Sequence, residues 1–173
     1  MPMRSVQRIK TVVCQVPKDM NGLIIGGNIS AVCLKYYNWA VVNILFGNLA
    51  ADCTIAMQQA KNVGGSGIKT LGLAKMFKQT TNNSDPEQAD MFQEVTVTAD
   101  VYTVSNSSED NAFFKIEVNP ADLDVDNDFD CIRPLVTAGA GATLVAVWID
   151  LFAARYRGKE NQPKVFPSAL AHG

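Results

Sequence analysis

Trp39-Ala-Val-Val-Asn-Ile-Leu-Phe46, closed by Gly47-Asn48 and followed by Cys53-Thr-Ile-Ala-Met-Gln58, sets the fold class of this chain. The first run is mostly apolar and β-branched, as expected of a strand buried on much of both faces. In the second, Cys53, Ile55 and Met57 alternate with Thr54, Ala56 and Gln58, the period of two of a half-buried strand. The same texture continues outward. Val32-Cys33-Leu34 leads into the first run, Leu71 to Phe77 resumes an apolar pattern read as a strand, and Val95 to Val104 has the Val/Thr composition of strands. Phe113 to Val118 stops at Asn119-Pro120, where Asn119 can cap a single helical turn. Cys131 to Val136 and Leu144 to Phe152 complete the set.

Between these runs lie turn and loop signals: Asn62 to Gly67, Thr80 to Asp90, Ser105 to Asn111, and Gly139-Ala-Gly-Ala. Seven or eight short strands, with no helical crossovers of ten or more residues between them, predict an all-β antiparallel β-sandwich or jelly-roll-like domain. The expected organisation is an N-terminal arm over 1–29, a core over 30–156 and a C-terminal arm over 157–173. Thr11 to Val16 is the one stretch of the N-terminal arm that reads as a short strand.

Composition narrows the chemistry. The 173 residues suit one domain with arms, and 47% hydrophobic against 18% charged residues supplies a core. With 15 Lys+Arg against 17 Asp+Glu the net charge is -2, so no nucleic-acid partner is expected. The single histidine, His172, stands one residue from the C-terminus, which leaves histidine-based acid–base or metal catalysis without material. Arg4, Arg8 and Lys10 are followed by no apolar run of a secretory signal. Thr143 and Asp150 interrupt Ala138 to Ala154, which falls short of the ~18–20 apolar residues of a membrane span. Neither enzyme nor membrane protein is expected.

Few motifs carry chemistry. Asp122, Asp124, Asp126, Asp128 and Asp130 alternate as oxygen ligands of a calcium loop do. Phe129 and Leu135, however, stand where such a loop starting at Asp124 needs its glycine and its bidentate glutamate. The expectation is a solvated acidic turn with Leu123, Val125 and Phe129 facing the core and Arg133 within reach of a carboxylate. Gly64-Gly-Ser-Gly-Ile-Lys-Thr70 misses the phosphate-loop spacing and reads as a hairpin loop. Cys14, Cys33, Cys53 and Cys131 contain no paired C-x-x-C; they are read as buried thiols and as candidates for disulfides within or between chains. Tyr36, Tyr37 and Trp39 offer a stacking platform for a glycan if exposed, and core packing otherwise. No cofactor or resident metal is expected. The interface candidates are Arg4, Arg8, Tyr156 and Phe166: the residues after Tyr156, if extended, reach roughly 50 Å, and Phe166 beside Pro167 is an anchor type.

Several blocks occur together in order. They are Val16-Pro-Lys-Asp-Met-Asn-Gly22, Val32-Cys-Leu-Lys-Tyr-Tyr37, Thr54-Ile-Ala-Met-Gln-Gln-Ala60, Ile116-Glu-Val-Asn-Pro-Ala-Asp-Leu-Asp-Val-Asp-Asn-Asp-Phe-Asp-Cys-Ile-Arg133, and Arg155-Tyr156 with Phe166-Pro-Ser168. Over roughly residues 16–170 they resemble a family of small virion proteins of tailed bacteriophages. The resemblance implies a capsid decoration (cement) protein. It would be made in the host cytoplasm, seated on the outer capsid surface against the major capsid protein, and homo-oligomeric, with a trimer favoured. A head–tail connector or tail component, and a receptor- or glycan-binding β-module, are the alternatives.

Overall fold

The structure, a computed structural model, describes residues 9–26, 30–73, 75–80 and 91–154. Its strands are β1 (Ile9–Asp19), β2 (Ile24–Ile25), β3 (Val32–Cys33), β4 (Tyr37–Leu49), β5 (Cys53–Ala60) and β6 (Lys69–Leu71). There follow β7 (Lys75–Gln79), β8 (Gln93–Thr96), β9 (Val101–Val104), β10 (Phe113–Val118), β11 (Cys131–Thr137) and β12 (Thr143–Ala154). One sheet has the order β1-β12-β4-β10-β7-β8. The other runs β2-β11-β5-β6, with β3 also pairing β11 and β9 also pairing β5. All pairings are antiparallel. The expected sandwich is therefore present.

The pairings nest. β1 pairs β12, β2 and β3 pair β11, β4 pairs β10, and β5 pairs β6 and β9. This is one long hairpin whose two arms alternate between the sheets, the double Greek key of a jelly roll. Two of its eight strand positions are split, one into β2 and β3 and one into β6 and β9, while β7 and β8 widen the first sheet.

Alternation builds the core. From the first sheet, Ala40, Val42, Ile44 and Phe46 of β4, Val145, Val147, Ile149 and Leu151 of β12, and Phe114, Ile116 and Val118 of β10 point inward and are buried. Ile55 and Met57 of β5 and Ile132 and Val136 of β11 meet them from the second sheet in one continuous cluster. The rings of Phe46 and Phe114 cross edge to face with centroids 5.7 Å apart.

Backbone chemistry explains the split strands. Leu34 N–H donates to the Asp130 carbonyl at 2.8 Å, so even-numbered residues of β11 direct their backbone groups toward β2 and β3. Pro134, which has no N–H to donate, thus faces the break between β3 (opposite 131–132) and β2 (opposite 136–137).

Three features differ from the sequence reading. The stretch 1–29, read as an irregular arm, contains an 11-residue strand, β1, paired along its length with β12, and also contains β2. The short strand expected over Thr11 to Val16 lies within β1; the strand's full extent is hidden in the sequence because it is an edge strand, mostly exposed on both faces, so its apolar residues do not alternate. Leu71 to Phe77 is not one strand: the chain leaves the second sheet after Leu71 and enters the first at Lys75. The Leu73 N–H donates to the Asp100 carboxylate at 3.2 Å across this crossing. Finally, Val125 faces solvent, because a second 3-10 turn, Val125–Asn127, rotates it away from buried Leu123 and Phe129. The Asn119 cap forms as expected, accepting from Ala121 N–H, while Asp122 accepts from Asn119 N–H. Asn62 to Gly67 closes the β5–β6 hairpin, with Gly65 and Gly67 at φ +78° and +63°.

Candidate functional site

The outward face of the first sheet is unusually apolar. Residues opposite one another in register share a face, so Val13 lies beside Trp148, Leu45 beside Ala146 and Phe113, and Trp39 beside Phe152. Trp148 stacks on Phe113 at 5.6 Å with the rings 22° apart, and Phe92 meets the other side of Phe113 at 5.6 Å. Lys115 Nζ lies over Phe92 at 4.4 Å. Trp39 packs on Phe152 at 5.2 Å. Val13, Trp39, Leu45 and Leu144 remain 62%, 43%, 42% and 50% exposed, so this band is presented to solvent across β1, β12, β4 and β10.

A polar trio sits inside the band. Asp150 accepts from Thr11 Oγ1 on one neighbouring strand and from Asn43 Nδ2, at 3.0 Å, on the other. Asn43 is 3% exposed although it points away from the core, so flanking side chains cover it. Hydrogen bonds across β1, β12 and β4 hold the register of three strands whose outer faces are otherwise apolar on this side.

The four cysteines divide between the two sheets. All four are free thiols. Cys14, on β1, has its thiol pushed up to about 11 by burial, and Cys53 is buried on β5. Cys33 and Cys131 stand directly opposite each other on β3 and β11, beside the Asp130 carboxylate, which accepts from the Cys131 thiol at 3.0 Å. The Cys33 thiol is lowered to about 7, chiefly by the neighbouring Cys131 thiol, against an opposing effect of burial. The Cys131 thiol is pushed up by the neighbouring Cys33 sulfur, by burial and by Asp130.

The aspartate run does not converge on one point. Asp122 caps the turn at Asn119, Asp124 pairs with Lys69 and accepts from Asn127, and Asp130 turns to Cys131. Arg133 donates twice to Gln58 Oε1, at 3.1 and 2.7 Å, rather than to a carboxylate of the run. Of the aromatic trio, Tyr37 is buried while Tyr36 and Trp39 are partly exposed. Arg4, Arg8, Tyr156 and Phe166, together with His172, lie outside the described residues. The sequence reading did not single out the sheet face, although Trp39, Val41 and Leu45 of β4 and Leu144, Ala146, Trp148 and Phe152 of β12, interrupted by Asn43 and Asp150, make it largely apolar.

One further buried group is structural. Glu109, 4% exposed, accepts from Lys78 Nζ at 2.8 Å, Tyr102 Oη at 2.5 Å and the Ser105 N–H at 2.8 Å. These bonds engage both oxygens of the carboxylate.

Comparison with protein-family models, with curated proteins and with solved structures finds no match to this chain.

Proposed function

We propose that the protein is a non-enzymatic virion structural protein that binds and stabilises a tailed-phage capsid shell as a decoration protein. The observation that carries this reading is the solvent-facing band of Val13, Trp39, Leu45, Phe113, Leu144 and Trp148 on a rigid six-stranded sheet. Contiguous apolar surface of this kind marks a protein contact. The ordered sequence blocks that resemble small virion proteins point the contact toward a capsid. Jelly rolls also build many viral shells, a fold-level analogy that raises the reading without establishing it.

The physics of such a role needs no catalytic group. A protein that binds only the assembled lattice stabilises it by mass action, and symmetry repeats a modest contact many times over the shell. The major capsid protein is the partner in this reading, and a homotrimer on the outer capsid surface is the unit that engages it. In this reading the stretch 157–173 extends the contact to neighbouring subunits.

Imaging of intact particles of the phage that encodes the chain tests the proposal. Density for the jelly roll on the outside of the shell, lost together with capsid resistance after mild dissociation, supports it. Recovery of the protein only with necks or tails contradicts it and favours the connector reading. Retention of glycan on the partly exposed Tyr36 and Trp39, in a protein absent from shells, favours a receptor-binding module.

A further inference from the structure

The pairing of Cys33 with Cys131 is set by the sheet. Because Leu34 and Asp130 form a hydrogen-bonded position of the β3–β11 ladder, Cys33 and Cys131, one residue along, occupy a non-hydrogen-bonded position. Side chains approach most closely there, and both thiols project to the same face. That face is not the main core: Cys131 and Cys33 belong to a small separate cluster with Ala31 and Ala60. Asp130 precedes β11 and brings a carboxylate to the same place. The two sulfurs and a carboxylate oxygen all lie within 4.8 Å of one another, the sole group of three such donors among the described residues. Cys33 and Asp130 are partly exposed, which gives the cluster a path to solvent.

We propose that Cys33, Cys131 and Asp130 form a binding site for one soft divalent cation of the Zn2+ or Cd2+ type, with water as the fourth ligand. Tetrahedral Zn2+ takes thiolates at ~2.3 Å, which places two of them about 3.8 Å apart, inside the observed spread. Two thiolates with one carboxylate select such an ion over Mg2+ or Ca2+, which prefer all-oxygen shells. The Asp130 carboxylate already accepts from the Cys131 thiol at 3.0 Å, so its oxygen and the two sulfurs converge on one spot that a divalent cation can occupy. Each sulfur and the carboxylate oxygen donates a lone pair to the ion, the S–H bonds of Cys33 and Cys131 break, and their two protons leave to solvent. A disulfide would use the sulfurs alone and leave the carboxylate without a counter-charge.

Titration with Cd2+ tests the site, using the full chain kept reduced by a phosphine. The expected result is one equivalent bound, with a thiolate-to-metal charge-transfer band in the ultraviolet and proton release on binding. The band is lost in Cys33→Ser and in Cys131→Ala and kept in Cys14→Ser. Asp130→Asn, which preserves shape, weakens binding by at least ~10-fold, the lower end of what even an outer partner contributes at a metal site. Circular dichroism of each variant confirms the sheet. Absence of stoichiometric binding by the folded, reduced protein overturns the proposal, and so does binding unchanged in folded Cys33→Ser. Alkylation of Cys33 that is blocked by one equivalent of Cd2+ supports it. Alkylation unaffected by Cd2+ contradicts it.

Discussion

At the scale of single residues, the buried network around Glu109 is the main electrostatic investment of the fold. Burial alone would lower the Lys78 pKa, but the Glu109 carboxylate outweighs it and holds the ammonium above its ordinary 10.5. Burial, then Glu109, raises the Tyr102 phenol above 10.0. Both groups therefore keep a proton in the folded protein at a pH where the unfolded chain releases it. Their contribution is complete below pH 10 and is lost as pH rises through the folded pKa values. Thermal unfolding followed by circular dichroism should show the melting temperature falling above pH 10, with a shallower fall in Glu109→Gln. Equal falls in both proteins would contradict this account. At neutral pH Glu109→Gln should cost about 2–3 kcal/mol in denaturant unfolding, below the ~3–5 of a fully buried pair because Lys78 keeps 24% exposure. Thr143 runs the other way. Its hydroxyl is buried with no partner among the described residues, so Thr143→Val should stabilise by about 1 kcal/mol, read as a higher urea midpoint at constant slope.

Among the elements, β4, β5, β10 and β12 were legible because they obey the two-residue period or are apolar throughout, and their burial follows that pattern. β1 was legible only over Thr11 to Val16, because it ends its sheet among the described residues, and such an edge leaves composition free to include Lys10, Gln15 and Lys18. The crossing from β6 to β7 was equally hidden. Leu71, Leu73 and Met76 are all buried, so one apolar run, interrupted by Gly72 and Lys75, serves two sheets. The metal-type cluster was invisible for another reason: its cysteines are far apart in sequence and meet only through the β3–β11 register. Close approach also governs the turn before β12. A Cβ at Gly139 would lie 2.5 Å from the Asp52 carbonyl oxygen and 2.7 Å from the Ala51 Cβ. Gly139→Ala must therefore separate the β4–β5 and β11–β12 turns. A loss of about 1–3 kcal/mol in equilibrium unfolding is expected, and a neutral substitution would show that the turns are not held together.

For the whole molecule, the jelly roll and the apolar face belong together. β12 and β4 lie inside the first sheet, flanked on both sides, so their strands are rigid on both faces and can display large side chains outward without losing order. The inward face builds the sandwich, and the outward face is left to contribute a contact of the same chemistry. The most direct test of the proposed capsid role is co-sedimentation of the purified protein with tailed-phage capsid shells, wild type against Leu45→Glu. Leu45 is 42% exposed at the centre of the band, so the charge disrupts a contact and spares the core. The account predicts that wild type sediments with shells and raises their melting temperature, while folded Leu45→Glu stays in the supernatant. Equal binding by both proteins, or binding by neither, would contradict it.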